Sequence, residues 1–241
     1  MAHTNGFTVW LTGMSGTGKT TLATYIAARL RQVGRNVEIL DEGEIGESLW
    51  AGIGESKEDR NTVVRRLGTV SQLLTRNHVA VLVAAISPYK ASRDENRRNI
   101  GRYIEVYVDC PTQMLIDRDT TGRYKKALAG EIPNFVGITD PYEPPISPEV
   151  TIHSDSESVE DGAMRIFQSL LDLGYVTQDD LKIITGKKMK ANASGKGGST
   201  KKGARRKSAK PKKGDKGKKA RPAARASRVA SSKKKSRKKS R

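Results

Sequence analysis

The run Gly13-Met14-Ser15-Gly16-Thr17-Gly18-Lys19-Thr20 restricts this chain more than any other stretch of it. It follows an apolar segment, Phe7–Thr12, and opens a segment with apolar residues at Leu22, Ile26, Leu30 and Val33. A strand, a glycine loop and a helix in that order make a cradle for phosphate. The glycines let backbone N–H groups curl around phosphate oxygens, and the helix N-terminus adds the positive end of its dipole. The pattern assigns Lys19 to the β/γ-phosphates and the Thr20 hydroxyl to Mg2+, so ATP and Mg2+ are the expected ligands. Gly13, Ser15, Gly16, Thr17, Gly18 and Thr21 complete the expected nucleotide contacts. Every fixed position is filled and both flanks agree, which a chance glycine loop does not explain.

The remaining pattern is alternating strand and helix. Val37–Leu40 reads as a second strand ending at Asp41, and Lys57–Arg76 as a helix with Val63, Leu67, Val70 and Leu74 on its apolar stripe. Val79–Ile86 is a continuous apolar run, as expected of a strand buried on both faces of a parallel sheet. Ala91–Ile100 reads as a short charged helix, Tyr103–Val108 as a strand, and Pro111–Arg118 as the start of another helix. Val150–His153 and Val159–Leu173 close the series. The expected fold is α/β, a doubly wound parallel sheet with flanking helices.

Residues 119–149 break the rhythm with Gly122, Gly130, Gly137 and five prolines. So long an irregular stretch inside a compact domain is usually functional, and its position predicts a lid over the nucleotide. From Gly186 the composition changes again. Lys187–Arg241 carries 25 Lys+Arg and a single acid, Asp215, which leaves 20 basic and 25 acidic residues before it. The net charge of +19 therefore belongs to the tail. A tail this poor in apolar residues cannot offset its chain entropy by burial, and disorder is expected over 186–241. Such a polycation is expected to meet nucleic acid or another polyanion through its phosphates, without reading sequence. Residues 1–185 suffice for one domain. One cysteine, Cys110, excludes an internal disulfide and reads as a small core residue. With no basic-then-apolar leader and no apolar run of membrane-spanning length, a cytoplasmic location is expected.

Several stretches together resemble the adenylylsulfate (APS) kinases, over about residues 6–176. They are Gly13–Thr21, Asp59-Arg60 with Arg65-Arg66, Ile86-Ser87-Pro88-Tyr89 and Glu105-Val106-Tyr107-Val108. The most specific is the lid string, Arg118-Asp119, Gly122-Arg123-Tyr124-Lys125-Lys126-Ala127, Gly130-Glu131-Ile132, Asn134-Phe135 and Asp140-Pro141-Tyr142-Glu143. The resemblance implies a P-loop kinase fold and transfer of the ATP γ-phosphate to the 3′-hydroxyl of APS, giving PAPS and ADP in sulfate assimilation. It implies catalytic roles for Lys19, Asp41 and Arg60, with Thr20 and Asp41 at the metal. Arg118 and Lys125 would contact the nucleotide. Arg60, Arg65, Ser87, Lys126 and Phe135 would contact the acceptor, Phe135 by stacking on its adenine. A homodimer is common in the family.

The second-strand motif departs from the family. Where the family has Asp-Gly-Asp-Asn followed by an Arg, this chain reads Asp41-Glu42-Gly43-Glu44-Ile45-Gly46. The second acid falls on Gly43 and the Arg on Gly46. A second stacking Phe falls on Glu55, and an Asn falls on Val63. The donor side is intact and the acceptor side altered. Glu42 or Glu44 could replace the missing acid through a longer side chain, an alternative that side-chain alternation at a strand end disfavours without closing. Three readings remain open: an APS kinase, a kinase of the same fold with a less anionic acceptor hydroxyl, and a weakly catalytic ATP-binding module held on nucleic acid by its tail.

Overall fold

The computed structural model describes residues 5–186, except for the side chains of residues 47–49. The basic tail, with the disorder and the polyanion contact expected of it, lies outside the described residues. Five parallel strands form one sheet in the order β2-β3-β1-β4-β5. These are β1 (Phe7–Thr12), β2 (Val37–Asp41), β3 (Ala80–Ala85), β4 (Tyr103–Asp109) and β5 (Val150–His153). The helices are α1 (Lys19–Gln32), α2 (Glu42–Leu49), α3 (Lys57–Arg76), α4 (Lys90–Ile100), α5 (Thr112–Arg118), α6 (Arg123–Leu128), α7 (Val159–Asp172) and α8 (Gln178–Thr185). Among the described residues no helix is long and apolar enough to cross a membrane.

Strand parity divides the core. Phe7, Val9 and Leu11 of β1 point to one face, where they pack with Leu22, Ile26 and Leu30 of α1 and Ile166, Phe167 and Leu170 of α7. Trp10 points to the other face and packs with Val64 and Leu67 of α3 and with Val81 and Val83 of β3. Alternate residues of a strand face opposite sides, so one apolar hexapeptide serves both layers. Chain order reverses about β1, which pairs with β3 on one side and β4 on the other. Ligands of open parallel sheets bind at the carboxyl ends of the strands at such a switch point.

The sequence boundaries agree with the strands and long helices to within a residue or two. Three helices were not expected. α2 follows β2 directly because the Asp41 side chain caps it, accepting from the Gly43 N–H at 2.8 Å. α6 lies inside the expected lid and is only six residues long. α8 has a Thr177–Asp180 capping box and ends at Gly186, whose φ of 65° favours glycine. It is tied to the domain by Arg35, which donates to the Tyr175 carbonyl at 2.7 Å and pairs with Asp180 at 3.5 Å.

Candidate active site

The glycine loop leaves the end of β1 at the sheet's switch point. Gly13 is needed because a Cβ there would lie 2.3 Å from the Val108 carbonyl of β4. Gly18, at φ 94°, turns the chain into α1 through a conformation that side chains resist. Lys19 is buried and folds back on the loop, donating to the carbonyls of Gly13 at 2.9 Å and Met14 at 2.7 Å. Burial lowers its pKa to about 8, an effect opposed first by Glu42 and then by Asp41. A phosphate would supply the negative charge that this ammonium lacks. Thr20 Oγ1 donates to Asp41 Oδ2 at 2.6 Å, so the two expected metal residues already touch. Among the described residues no cluster of three or more His, Cys, Asp and Glu stands ready for a metal. A hydroxyl and one carboxylate suit Mg2+, which keeps several waters and shares its shell with nucleotide phosphates.

A cavity of about 340 Å³ opens over this pair, walled by Ser15, Gly16, Lys19, Thr20, Asp41, Glu42, Gly43, Arg60, Ile86 and Arg123. A second cavity, about 170 Å³, lies on the far side of the loop between Thr17, Gly18, Thr21, Val108, Arg118, Ile152, Ser154 and Val159. It has apolar walls with polar rims, as a nucleotide base requires. Arg118 donates to the Ser154 carbonyl at 3.1 Å on its rim. A third, of about 50 Å³, joins Ser15, Glu55, Arg60, Arg123, Asn134 and Phe135.

The segment 119–149, expected to form a lid, packs on the phosphate loop. Tyr124 donates to the Ser15 carbonyl at 2.7 Å. Phe135 sits edge-on to Tyr124 with ring centroids 4.9 Å apart, in a cluster that Met14 joins from the loop. Phe135 is therefore buried, with one side on the small cavity. Arg60 reaches across from α3. It donates to the carbonyls of Glu55 at 3.2 Å and of Asn134, and lies 3.8 Å from Asp140. It thus ties α3 to the lid while walling two cavities.

Other expected residues stand elsewhere. Arg65 is clamped between Glu95 at 3.0 Å and Glu58 at 2.8 Å, and walls none of these cavities. Two carboxylates already neutralise it. Ser87 is fully buried, and its hydroxyl accepts from the Trp10 indole at 2.9 Å. Its neighbour Ile86 takes the place on the cavity wall. The φ of 40° at Ser87 marks a strained turn leaving β3. Lys125 and Lys126 lie exposed on α6 and wall none of these cavities, whereas Arg123, one turn earlier, walls two. Arg123 was legible only as one more charged lid residue. The departure at Gly46 also has a steric side. A Cβ there would lie 2.7 Å from the Trp50 indole nitrogen, so Trp50 covers the position and a restored Arg would have to displace it.

A phosphate loop opening a helix at the switch point, with Lys19, Thr20 and Asp41 on one cavity, defines a P-loop kinase. Residues 5–153 match the family model for adenylylsulphate kinase. The adenylyl-sulfate kinase of Rippkaea orientalis (strain PCC 8801 / RF-1) is 50% identical over 173 residues, 72% of this chain and 96% of that one. The adenylyl-sulfate kinase of Microcystis aeruginosa is 49% identical over 173 residues, again 72% and 96% of the two chains. The Mycobacterium tuberculosis APS kinase CysC, solved in complex with AMPPNP and APS, superposes with a TM-score of 0.65 at 36% identity, over 69% of this chain and 98% of that one. The chain belongs to the adenylylsulfate kinase family.

Proposed function

We propose that this chain transfers the γ-phosphoryl group of ATP to the 3′-hydroxyl of adenylylsulfate, giving PAPS and ADP. One observation carries the reading: the phosphate loop, the Thr20–Asp41 pair and two cations from other elements, Arg60 and Arg123, wall a single cavity. Phosphoryl transfer asks a protein mainly for positioning and for neutralising charge on the moving group. Gly13, Ser15, Gly16, Thr17, Gly18 and Thr21 hold the ATP phosphates by backbone and hydroxyl, and Lys19 swings from its carbonyl partners onto them. Thr20 and Asp41 hold Mg2+, which when bound neutralises phosphate charge. The base lies in the cavity rimmed by Arg118. The acceptor enters from the opposite side, where Arg60 and Arg123 meet its anionic groups and Phe135 its ring.

The test is PAPS formation from Mg-ATP and adenylylsulfate, with a control lacking adenylylsulfate. Turnover that depends on both substrates is the expected result. ATP binding without PAPS would reject the acceptor. That outcome would favour a less anionic hydroxyl compound, a reading supported by Glu55 on the wall of the small cavity beside Arg60.

The tail adds a partner. With 25 basic residues and one acid, residues 187–241 form a polycation joined to a mildly acidic domain. We propose that it binds nucleic acid non-specifically. Full-length chain should bind duplex DNA, with affinity falling by roughly 10³-fold or more between 50 and 200 mM salt if six or more phosphates are neutralised. A chain ending at residue 186 should not bind. Binding that survives truncation, or that ignores salt, would refute the proposal.

A further inference from the structure

The cavity over the phosphate loop holds two carboxylates that are not equivalent. Both oxygens of Asp41 are committed, Oδ1 to the Gly43 N–H at 2.8 Å and Oδ2 to Thr20 Oγ1 at 2.6 Å. Glu42 is held by one oxygen only: Oε2 accepts from the Ile86 N–H at 2.7 Å, across the carboxyl ends of β2 and β3. Its Oε1 makes no hydrogen bond among the described residues. Glu42 is half-buried on the cavity wall between Asp41 and Gly43, and its field acts on Lys19 more than Asp41's does. Glu44, the next acid, is exposed and walls none of the cavities described above. Strand alternation, which turned Glu42 away in the sequence reading, does not apply because Glu42 opens α2 instead of extending β2.

We propose that Glu42 is the catalytic carboxylate of this chain, accepting the hydrogen bond of the acceptor hydroxyl at Oε1. The hydroxyl oxygen bonds to the γ-phosphorus as the bond from that phosphorus to the β–γ bridging oxygen breaks. ADP leaves with that electron pair, and the hydroxyl proton passes to Glu42 and then to solvent. The Ile86 N–H fixes the carboxylate so that no side-chain freedom is lost at the moment of transfer. This assignment rests on the proposed kinase reaction and names the group that does its proton chemistry.

Glu42→Gln separates the catalytic role from a structural one. The amide oxygen still accepts from Ile86, while the cavity-facing end changes from an acceptor to a donor. Expected is a kcat roughly 10²- to 10⁴-fold lower, with melting temperature unchanged and Mg-ATP affinity by calorimetry within about threefold. Glu42→Ala should lose the same activity and some stability as well, because Ile86 then loses its partner. A Glu42→Gln enzyme with near wild-type kcat would reduce Glu42 to a structural tie and overturn the proposal. Mg-ATP affinity that falls in step with kcat would move Glu42 to the donor side and overturn it too. ADP release without adenylylsulfate distinguishes failure of the proposal from failure of the reading beneath it. Wild-type chain that makes no PAPS, but whose slow ATP hydrolysis drops at least tenfold in Glu42→Gln, rejects the acceptor and keeps Glu42. Hydrolysis equal in the two proteins rejects Glu42.

Discussion

Lys19→Met should stop phosphoryl transfer while leaving a protein at least as stable as the wild type. The two effects share one cause. Burial lowers the Lys19 pKa from 10.5 to about 8, so the folded protein holds a charged ammonium at neutral pH at a cost on the order of a few kcal/mol. The sign follows from proton binding. Between about pH 8 and 10.5 the unfolded chain keeps a proton on Lys19 that the folded chain has lost, so stability without nucleotide rises with pH across that window. Methionine has similar length and no charge to desolvate, and the window should vanish with it. Only the hydrogen bonds to Gly13 and Met14 are lost, and these carbonyls border the open loop. In the proposed reaction the cation is nevertheless the group that meets the transferring phosphoryl, and loss of one such electrostatic contact costs roughly 10²- to 10³-fold in kcat. Urea titrations at pH 7 and 10, paired with PAPS assays, read both effects. A variant that is inactive and also much less stable would mean that Lys19 props the loop. Retained activity would mean that the loop does not hold the nucleotide as proposed.

What could be read from the sequence depended on how local the physics is. The phosphate loop and the strands after it were legible because each is set by its own residues: glycines where the backbone needs them, apolar runs where both faces are buried. Elements placed by another segment were not. α2 exists because the last residue of β2 caps it, and nothing in Glu42–Leu49 reads as an amphipathic stripe. Ser87 was legible as part of a motif, but its hydroxyl is spent on Trp10, 77 positions away in sequence. Arg65 was legible as a cation, but not the two carboxylates that enclose it. Arg123 and Lys125 are indistinguishable by type. Only the direction of a six-residue helix decides which of them reaches the cavity. Charge can be counted from a sequence, but the partner of each charge is a tertiary fact.

Arg93 makes the same point and gives the largest expected effect on stability. It lies in α4, which the sequence showed only as a short charged helix, yet it is 1% exposed. Its guanidinium donates to Glu105 at 2.8 Å, to the Ser87 carbonyl at 2.6 Å and to the Glu143 carbonyl at 2.7 Å. It therefore joins the strained turn after β3, a charge on β4 and the point where the lid segment returns to the sheet. Arg93→Met leaves a buried carboxylate short of its partner, removes the donor of the Glu143 carbonyl and leaves the Ser87 carbonyl only a 3.5 Å contact from the Thr12 hydroxyl. Breaking a buried pair in this way costs about 3–5 kcal/mol, a large part of the ~5–15 kcal/mol that holds a domain together. Arg97 lies 3.4 Å from the other oxygen of Glu105 and keeps the carboxylate from complete isolation, which places the expected loss at the lower end of that range. Adding Glu105→Leu should return part of the loss, since no unpaired charge then remains, although the Glu143 carbonyl stays unsatisfied and the Ser87 carbonyl poorly served. Whatever folded Arg93→Met protein survives should show a raised KM for both substrates, because the turn beside Ile86 and the lid's anchor at Glu143 are loosened together. Chemical denaturation of the single and double variants decides the matter. A single variant within about 1 kcal/mol of wild type would show that the network adds nothing beyond its own desolvation cost, and that packing alone holds the lid's return to the sheet.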